Sequence, residues 1–341
     1  MPPQASESDS DEGSKPTKSW LRDVLRLAIV LCVVWLACVF WFRRSNRQTK
    51  RPQPNPSALI EVGTTAPTPV QVATLNAHFL PGIANRVAGK RSSSQYRAAA
   101  IAIRLREYDI VCLNEAFDEK LACGLIDEFN ADPARQFAFV RSPEPLGWTK
   151  MVSGGLILFS RYPVIDSGSI TYTNGSRFIA TGFRAADGWS AKGALHVRLA
   201  LQSGSSGDLD CFVTHLESHS AKIRAEQTSE LIEFIRSKHD PRIPLLIMGD
   251  FNIVGPQRSG KTSDPVNANP EYMSLLSALQ GIDGGIRDVG VDGSGTSAPM
   301  RQGGGKRIDY ILASRADVVS TETLLLLDER VPEGSLSDHA G

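Results

Sequence analysis

The sequence predicts an α/β protein in which two packed β-sheets carry helices on their outer faces, preceded by a single transmembrane helix. Two observations carry this expectation. From residue 70 onward, short β-rich runs alternate with runs of helical periodicity, and no internal repeat of fixed period is evident. Ahead of them lies VLRLAIVLCVVWLACVFWF (24–42), whose only charge is Arg26 and which falls within the roughly 17–25 residues a helix needs to cross a bilayer.

Residues 1–19 are polar, with four acidic residues followed by two lysines, and have nothing to bury, so they are expected to be disordered. The transmembrane anchor is set at 20–43. Its aromatics Trp35, Phe40, Trp41 and Phe42 cluster at the far end, where an interfacial belt would sit. A cleavable signal peptide competes, but RRSNRQTKR follows the run in place of a small-residue cleavage site. Basic residues flank both ends, Lys15, Lys18, Arg22 and Arg26 before and Arg43, Arg44, Arg47, Lys50 and Arg51 after; the richer side favours a cytoplasmic body. Residues 44–69 read as a basic, then proline-rich linker, with five prolines between 52 and 69 predicting an extended spacer.

The body, 70–341, follows in order. VQVATLNAHF (70–79) reads as a strand, QYRAAAIAIRLREY (95–108) as a helix, DIVCLNEA (109–116) as a strand and EKLACGLIDEF (119–129) as a helix. FAFV (137–140), GGLILFSR (154–161), ALHVRLAL (194–201) and LDCFVTHL (209–216) are β-type. The helix SAKIRAEQTSELIEFIRSKH (220–239) places Ile223, Leu231, Ile232, Phe234 and Ile235 largely on one side. Then come LLIMGDFNI (245–253), a Gly/Ser/Pro-rich loop, a short helix at 271–280, RIDYILAS (307–314) and ETLLLLD (322–328).

Charge excludes some functions. The chain holds 37 Lys+Arg and 37 Asp+Glu, but residues 1–58 carry 9 basic and 5 acidic groups, which leaves 28 and 32 for the rest. A body of about −4 is a poor footprint for nucleic acid, which calls for a basic patch. Five scattered cysteines (32, 38, 112, 123 and 211) make neither a disulfide framework nor a metal-type spacing and read as small buried hydrophobes.

Chemistry gathers where apolar runs end. Asn76 closes VQVATL, Asn114 and Glu115 close DIVCL, His215 closes LDCFVT, and Asp250 with Asn252 closes LLIMG; Asp338 and His339 stand near the end of the sequence. Strand ends are where layered α/β folds build ligand sites. One carboxylate, Glu115, helped by the neutral oxygen of Asn76, suits Mg²⁺, whose shell is commonly completed by water and substrate phosphate. Zinc is disfavoured, because the histidines lack close spacing and no thiolate accompanies them. Two histidines and an Asp remain for proton transfer and for neutralising a phosphoryl oxygen. Asp338 cannot readily bond the adjacent His339, so it is expected to orient another group or another histidine.

TLNAHF, LNEAFD, SGGLILFSRYPV, THLES, IMGDFNI, RIDYIL and SDH, in this order over 70–341, resemble the Mg²⁺-dependent endonuclease/exonuclease/phosphatase superfamily. NEAFD (114–118), SGGLILFSRYPV (153–164) and DGWSAKGALHVRL (187–199), with Asp187 and Lys192 five apart, resemble its neutral sphingomyelinase branch in particular. The resemblance implies a four-layer α/β sandwich of two mixed sheets. It implies Mg²⁺ on Glu115 with Asn76 nearby, Asp250 and Asn252 on the attacking water and phosphate oxygens, and His215 on the phosphoryl group. His339 would be the general base, Asp338 a member of the same cluster and Asp309 a supporting residue. Asp187 and Lys192 read either as part of the site or as a plain surface pair. The expected activity is a membrane-anchored, Mg²⁺-dependent phosphodiesterase hydrolysing sphingomyelin to ceramide and phosphocholine. The alternatives are a related phosphodiesterase or phosphatase acting on nucleic acid, phosphoinositide or another phospholipid, and an inactive membrane-tethered binding protein. His78, His196, His219 and His239 carry no motif role, and Trp148 is expected either to dip into a membrane or to pack on the sheet. In the family the SDH motif leads into one more core strand, so a missing C-terminal strand is expected after Gly341.

Overall fold

The computed structural model describes residues 18–60, 69–82, 94–144, 150–176, 186–201, 207–256, 269–290, 296–297, 305–315, 320, 322, 326–331 and 335–340. The polar tail to residue 17, Trp148 and residues 323–325 of ETLLLLD lie outside them. The chain divides into two units, one up to Arg44 and one from Ser45.

The first unit is the helix α1, Lys18–Ser45, with Arg43 and Arg44 in its last turn. By length and composition its stretch Trp20–Ser45 could cross a membrane, and Leu25, Val33 and Phe40 are each more than half exposed.

The second unit begins with residues that fasten to the edge strand β3, Ala138–Arg141. An edge strand offers unpaired N–H and C=O groups. The Gln53 side chain answers both at Phe139, donating to its O at 2.8 Å and accepting from its N at 3.1 Å. Thr49 N donates to Glu119 Oε1 at 2.7 Å and Arg51 pairs with Asp127 at 2.9 Å. Thr49, Arg51 and Gln53 are therefore tied to the body, and Gln53 lies at the start of the stretch 52–69 expected to form an extended spacer.

A four-stranded sheet holds β1 (Val72–Phe79), β2 (Ile110–Ala116), β4 (Ile157–Ser160) and β3 in the order β1-β2-β4-β3. A six-stranded sheet holds β5 (Val164–Thr171), β6 (Gly193–Ala200), β7 (Asp208–His215), β8 (Leu245–Asp250), β9 (Arg287–Asp288) and β10 (Asp309–Ser314), ordered β5-β6-β7-β8-β10-β9. β1–β2 and β7–β8 are parallel and the other pairs antiparallel, so both sheets are mixed.

Side-chain alternation builds the layers. Along β2, Ile110 and Cys112 join Leu158, Val197, Cys211, Val213 and Met248 between the sheets. Val111 and Leu113 face outward onto α2 (Gln95–Leu105) and α3 (Glu119–Phe129) through Ile101, Leu105 and Leu125. On the other outer face Phe212 and Ile247 meet α4 (Ala221–Lys238) and α5 (Pro270–Gln280) through Leu231, Ile235, Leu275 and Leu279. The result is helix, sheet, sheet, helix. Strands buried on both faces explain why these runs read as continuous apolar stretches. Side-chain oxygens of Ser94, Asp118, Ser220 and Asn269 cap the starts of α2 to α5.

One full-length strand escaped the pattern. β5 (VIDSGSIT) is a sheet edge whose side chains are exposed or half-buried, so it carries no apolar alternation; only its ladder with β6 defines it.

Candidate active site

The parallel pairs decide what meets. In β1–β2 Asn76 lies opposite Asn114, beside Glu115; in β7–β8 His215 lies opposite Asp250. β10 runs antiparallel to β8 and brings Asp309 opposite Asp250. Two bonds then join the sheets at these ends, Asn76 Nδ2 to Asp250 Oδ2 at 3.0 Å and Asn114 Nδ2 to the Thr214 carbonyl at 2.8 Å. Gly249 permits the approach: at φ +132°, a Cβ there would lie 2.0 Å from the Thr214 oxygen.

The backbone is strained at these ends. His78, Glu115 and Asn252 have φ of +50°, +56° and +52°. A left-handed non-glycine residue costs about 1–2 kcal/mol, less for Asn and His, and such strain gathers at functional sites. Side-chain oxygens lock two of the turns, Asn76 Oδ1 accepting from His78 N at 3.0 Å and Asp250 Oδ1 from Asn252 N at 2.9 Å.

Glu115 stands between two histidines. Its Oε2 is 3.4 Å from His78 Nδ1 and its Oε1 3.8 Å from His215 Nε2. Burial opposes its charge, but the histidines and the Asn76 amide outweigh burial and hold the carboxyl well below the usual range. His215 Nε2 also lies 3.0 Å from Lys192 Nζ and 3.7 Å from Asp250 Oδ2. Burial, then the Lys192 charge, push His215 down to about 3, so it is neutral at pH 7.

Lys192 and Asp187 are both 4% exposed and pair at 2.5 Å. They are a buried part of the cluster. Lys192 also donates to the Leu216 carbonyl, and Asp187 accepts from Ser218 N at 2.7 Å. Burial opposes the Asp187 charge, but Lys192 and His215 dominate and hold its carboxyl below the ordinary range. Asn252 Nδ2 donates to the same Leu216 carbonyl at 3.0 Å.

His339 arrives on a segment stapled to β1. Arg97, fully buried on α2, donates to the Leu336 carbonyl at 2.8 Å and to the Ala77 carbonyl at 2.9 Å. The Ser337 hydroxyl donates to the Asn76 carbonyl and accepts from His339 N. On the other side Ala340 N donates to the Thr296 carbonyl at 2.7 Å, and Thr296 Oγ1 accepts from Asp309 N. His339 Nδ1 thereby meets Asp309 Oδ2 at 2.8 Å, with Nε2 4.0 Å from Asp250 Oδ2. Burial works against its charge, yet Asp309, Asp250 and Asp338 outweigh it and raise His339 well above 6.5. Burial and Asp309 push Asp250 up to about 7. Asp338 turns away from its neighbour, its Oδ2 lying 3.2 Å from His78 Nδ1.

Every residue singled out in the sequence for the site therefore lies in one network. Asp309, expected as a supporting residue, is the partner of His339, a pairing that depends on register between distant strands; His78 was missed. His78 faces Glu115 and Asp338; its place two residues beyond Asn76 at the same strand end was the available signal. His196 and His239 instead bond Asp210 at 2.7 and 3.0 Å, and the His219 side chain is 64% exposed.

The donors around Glu115 suit a hard divalent cation. Glu115 Oε2 and Asp338 Oδ1 are buried without a well-formed hydrogen bond, and Asn76 Oδ1 has used one of its two lone pairs. All are oxygens, as Mg²⁺ or Ca²⁺ prefers. Elsewhere, Asp250–Asp309–His339 and Asp187–Glu217–His219 bring ligand atoms within 4.8 Å of one another. In the first, Asp309 is engaged by His339; in the second, Lys192 engages Asp187.

A profile described as the Endonuclease/Exonuclease/phosphatase family matches residues 73–339. A sphingomyelinase of Dictyostelium discoideum is 28% identical over 226 residues, covering 56% of this chain and 46% of that protein. Sphingomyelinase C of Bacillus cereus is 24% identical over 245 residues, 65% of this chain and 67% of that one. The chain thus spans less than half the length of the Dictyostelium protein. Among solved structures, a beta toxin variant from Staphylococcus aureus with bound magnesium ions is similar at a TM-score of 0.58 and 20% identity, covering 80% of this chain and 98% of that one. At that identity the likeness speaks for the fold.

Proposed function

The chain belongs to the endonuclease/exonuclease/phosphatase family, and from that premise we propose that it is a membrane-anchored, divalent-metal-dependent phosphodiesterase that hydrolyses sphingomyelin to ceramide and phosphocholine. The observation that carries the phosphodiesterase reading is the single buried network joining Glu115, Asn76, Asp250, His215 and His339. Similarity to proteins named sphingomyelinase supports the lipid substrate. A body of about −4 disfavours nucleic acid.

Phosphoryl transfer asks mainly for positioning and neutralised charge. Glu115, with Asn76, is assigned to hold Mg²⁺. When bound, the cation would supply positive charge against the phosphate and the ceramide alkoxide, and its field would favour the ionised form of Asp250 and the neutral form of His339. His339 takes a proton from the attacking water, its ring fixed by Asp309. Asp250 and Asn252 orient that water and the phosphate oxygens. His215 and Lys192 face the phosphoryl oxygens, the charge coming from Lys192 because His215 is neutral. Water oxygen bonds to phosphorus as the bond to the ceramide oxygen breaks; the alkoxide takes a proton from solvent water, and His339 returns the proton it took to solvent. The apolar helix at 20–43 is assigned as the anchor that keeps this chemistry at a lipid surface.

The full chain in detergent is expected to release phosphocholine from sphingomyelin in mixed micelles with Mg²⁺ and to stop with EDTA. Robust DNA cleavage without phosphocholine release overturns the lipid reading.

A further inference from the structure

We propose that His78 is a positioning residue for the cation site: its Nδ1 steadies Glu115 Oε2, which keeps lone-pair capacity for the cation, and ties that carboxylate to Asp338. The proposal rests on the assignment of Glu115 as metal ligand.

Its geometry is over-determined. His78 is 6% exposed at the end of β1, and its left-handed φ of +50° is fixed by the bond from its N–H to Asn76 Oδ1 and by Arg97, whose Nη1 lies 3.5 Å from its carbonyl. A buried histidine serving only the core would bond nearby backbone or a single acid. This one aims Nδ1 at two carboxylates, 3.4 Å from Glu115 Oε2 and 3.2 Å from Asp338 Oδ2.

Those carboxylates come from a central strand and from the segment carrying His339. Left face to face they would repel. A single N–H on Nδ1 lies between them and can donate to either. Donors behind a ligating carboxylate fix which oxygen is offered to the metal, and losing one typically weakens metal binding about 10–100-fold. His78 would thus couple the metal ligand to the Asp338–His339 segment through one nitrogen.

Two substitutions separate positioning from packing. Asn tolerates a left-handed backbone and carries an amide N–H near the place of Nδ1, whereas Ala removes the donor. Calorimetric titration of the full chain in detergent with MgCl₂ alone, without substrate, is expected to show His78→Ala binding about 10–100-fold more weakly than wild type and His78→Asn recovering most of that loss. The Mg²⁺ concentration for half-maximal activity should rise for His78→Ala and return toward wild type for His78→Asn. Equal Mg²⁺ affinity of His78→Ala and wild type overturns the proposal. So does an equal fall of both variants in affinity and in melting temperature measured with EDTA, which marks a packing role. A wild-type chain that binds no Mg²⁺ removes the site and this proposal together. One that binds Mg²⁺ with the expected order of variants but releases no phosphocholine supports His78 and overturns only the substrate.

Discussion

His339 titrates as its surroundings dictate: Asp309 at 2.8 Å, Asp250 at 4.0 Å and the adjacent Asp338 hold the proton on. A base must lose that proton first, so activity should rise with pH through the apparent value it shares with Asp250. Asp309→Asn removes the nearest negative charge. The raised value then falls, the base form appears at lower pH, and the acidic limb of the kcat profile moves down the pH scale. His339→Ala should lower kcat by about 10²–10⁴. An acidic limb that stays put in Asp309→Asn would show that His339 is not the titrating base. At this scale the sequence spoke clearly wherever an apolar run ended in a polar residue, as at Asn76, Glu115, His215 and Asp250. It was silent on partners: that Asp309 serves His339, or that Lys192 reaches His215, follows from strand register and loop path, which local pattern does not encode.

Among the elements, α2 carries a task its sequence hides. QYRAAAIAIRL reads as an amphipathic helix with Arg97 at its polar start, yet Arg97 is fully buried against Phe79 and bonds the carbonyls of Leu336 and Ala77. Helical periodicity finds which face is apolar, but not that a guanidinium on that face will capture a carbonyl from a segment 239 residues away. Arg97→Met keeps the bulk and removes the donors. Two buried carbonyls left without partners at about 1–3 kcal/mol each should cost about 2–6 kcal/mol of unfolding free energy, read by denaturant titration. Hydrogen exchange should quicken around 335–340, and kcat should fall because His339 loses its seat. Unchanged exchange there would mean that Ser337 and Thr296 suffice to hold the segment. β5 illustrates the converse: an exposed edge strand has no buried face to write into its sequence, so only pairing reveals it.

For the molecule as a whole, the layer order was legible because both sheets bury two faces, whereas the fastening of Gln53 to β3 was not, since it acts through one side-chain amide that composition cannot foresee. The proposed lipid substrate sets a requirement for a body of about −4: anionic leaflets repel it, so under that proposal α1 is the segment assigned to supply the attraction. A tether helps by raising the effective concentration of enzyme at its substrate, worth about 10²–10⁴ in avidity when geometry permits. Val33→Arg with Leu36→Arg places two charges mid-helix, each costing about 2.5–3.5 kcal/mol at a bilayer centre. The double variant should leave the membrane fraction on carbonate extraction. Its rate on sphingomyelin in vesicles should fall by about tenfold or more, with hydrolysis of a water-soluble phosphocholine ester unchanged. Equal losses on both substrates would show that the substitutions damage the catalytic body, and equal retention on both would show that α1 is not what holds the enzyme to its lipid.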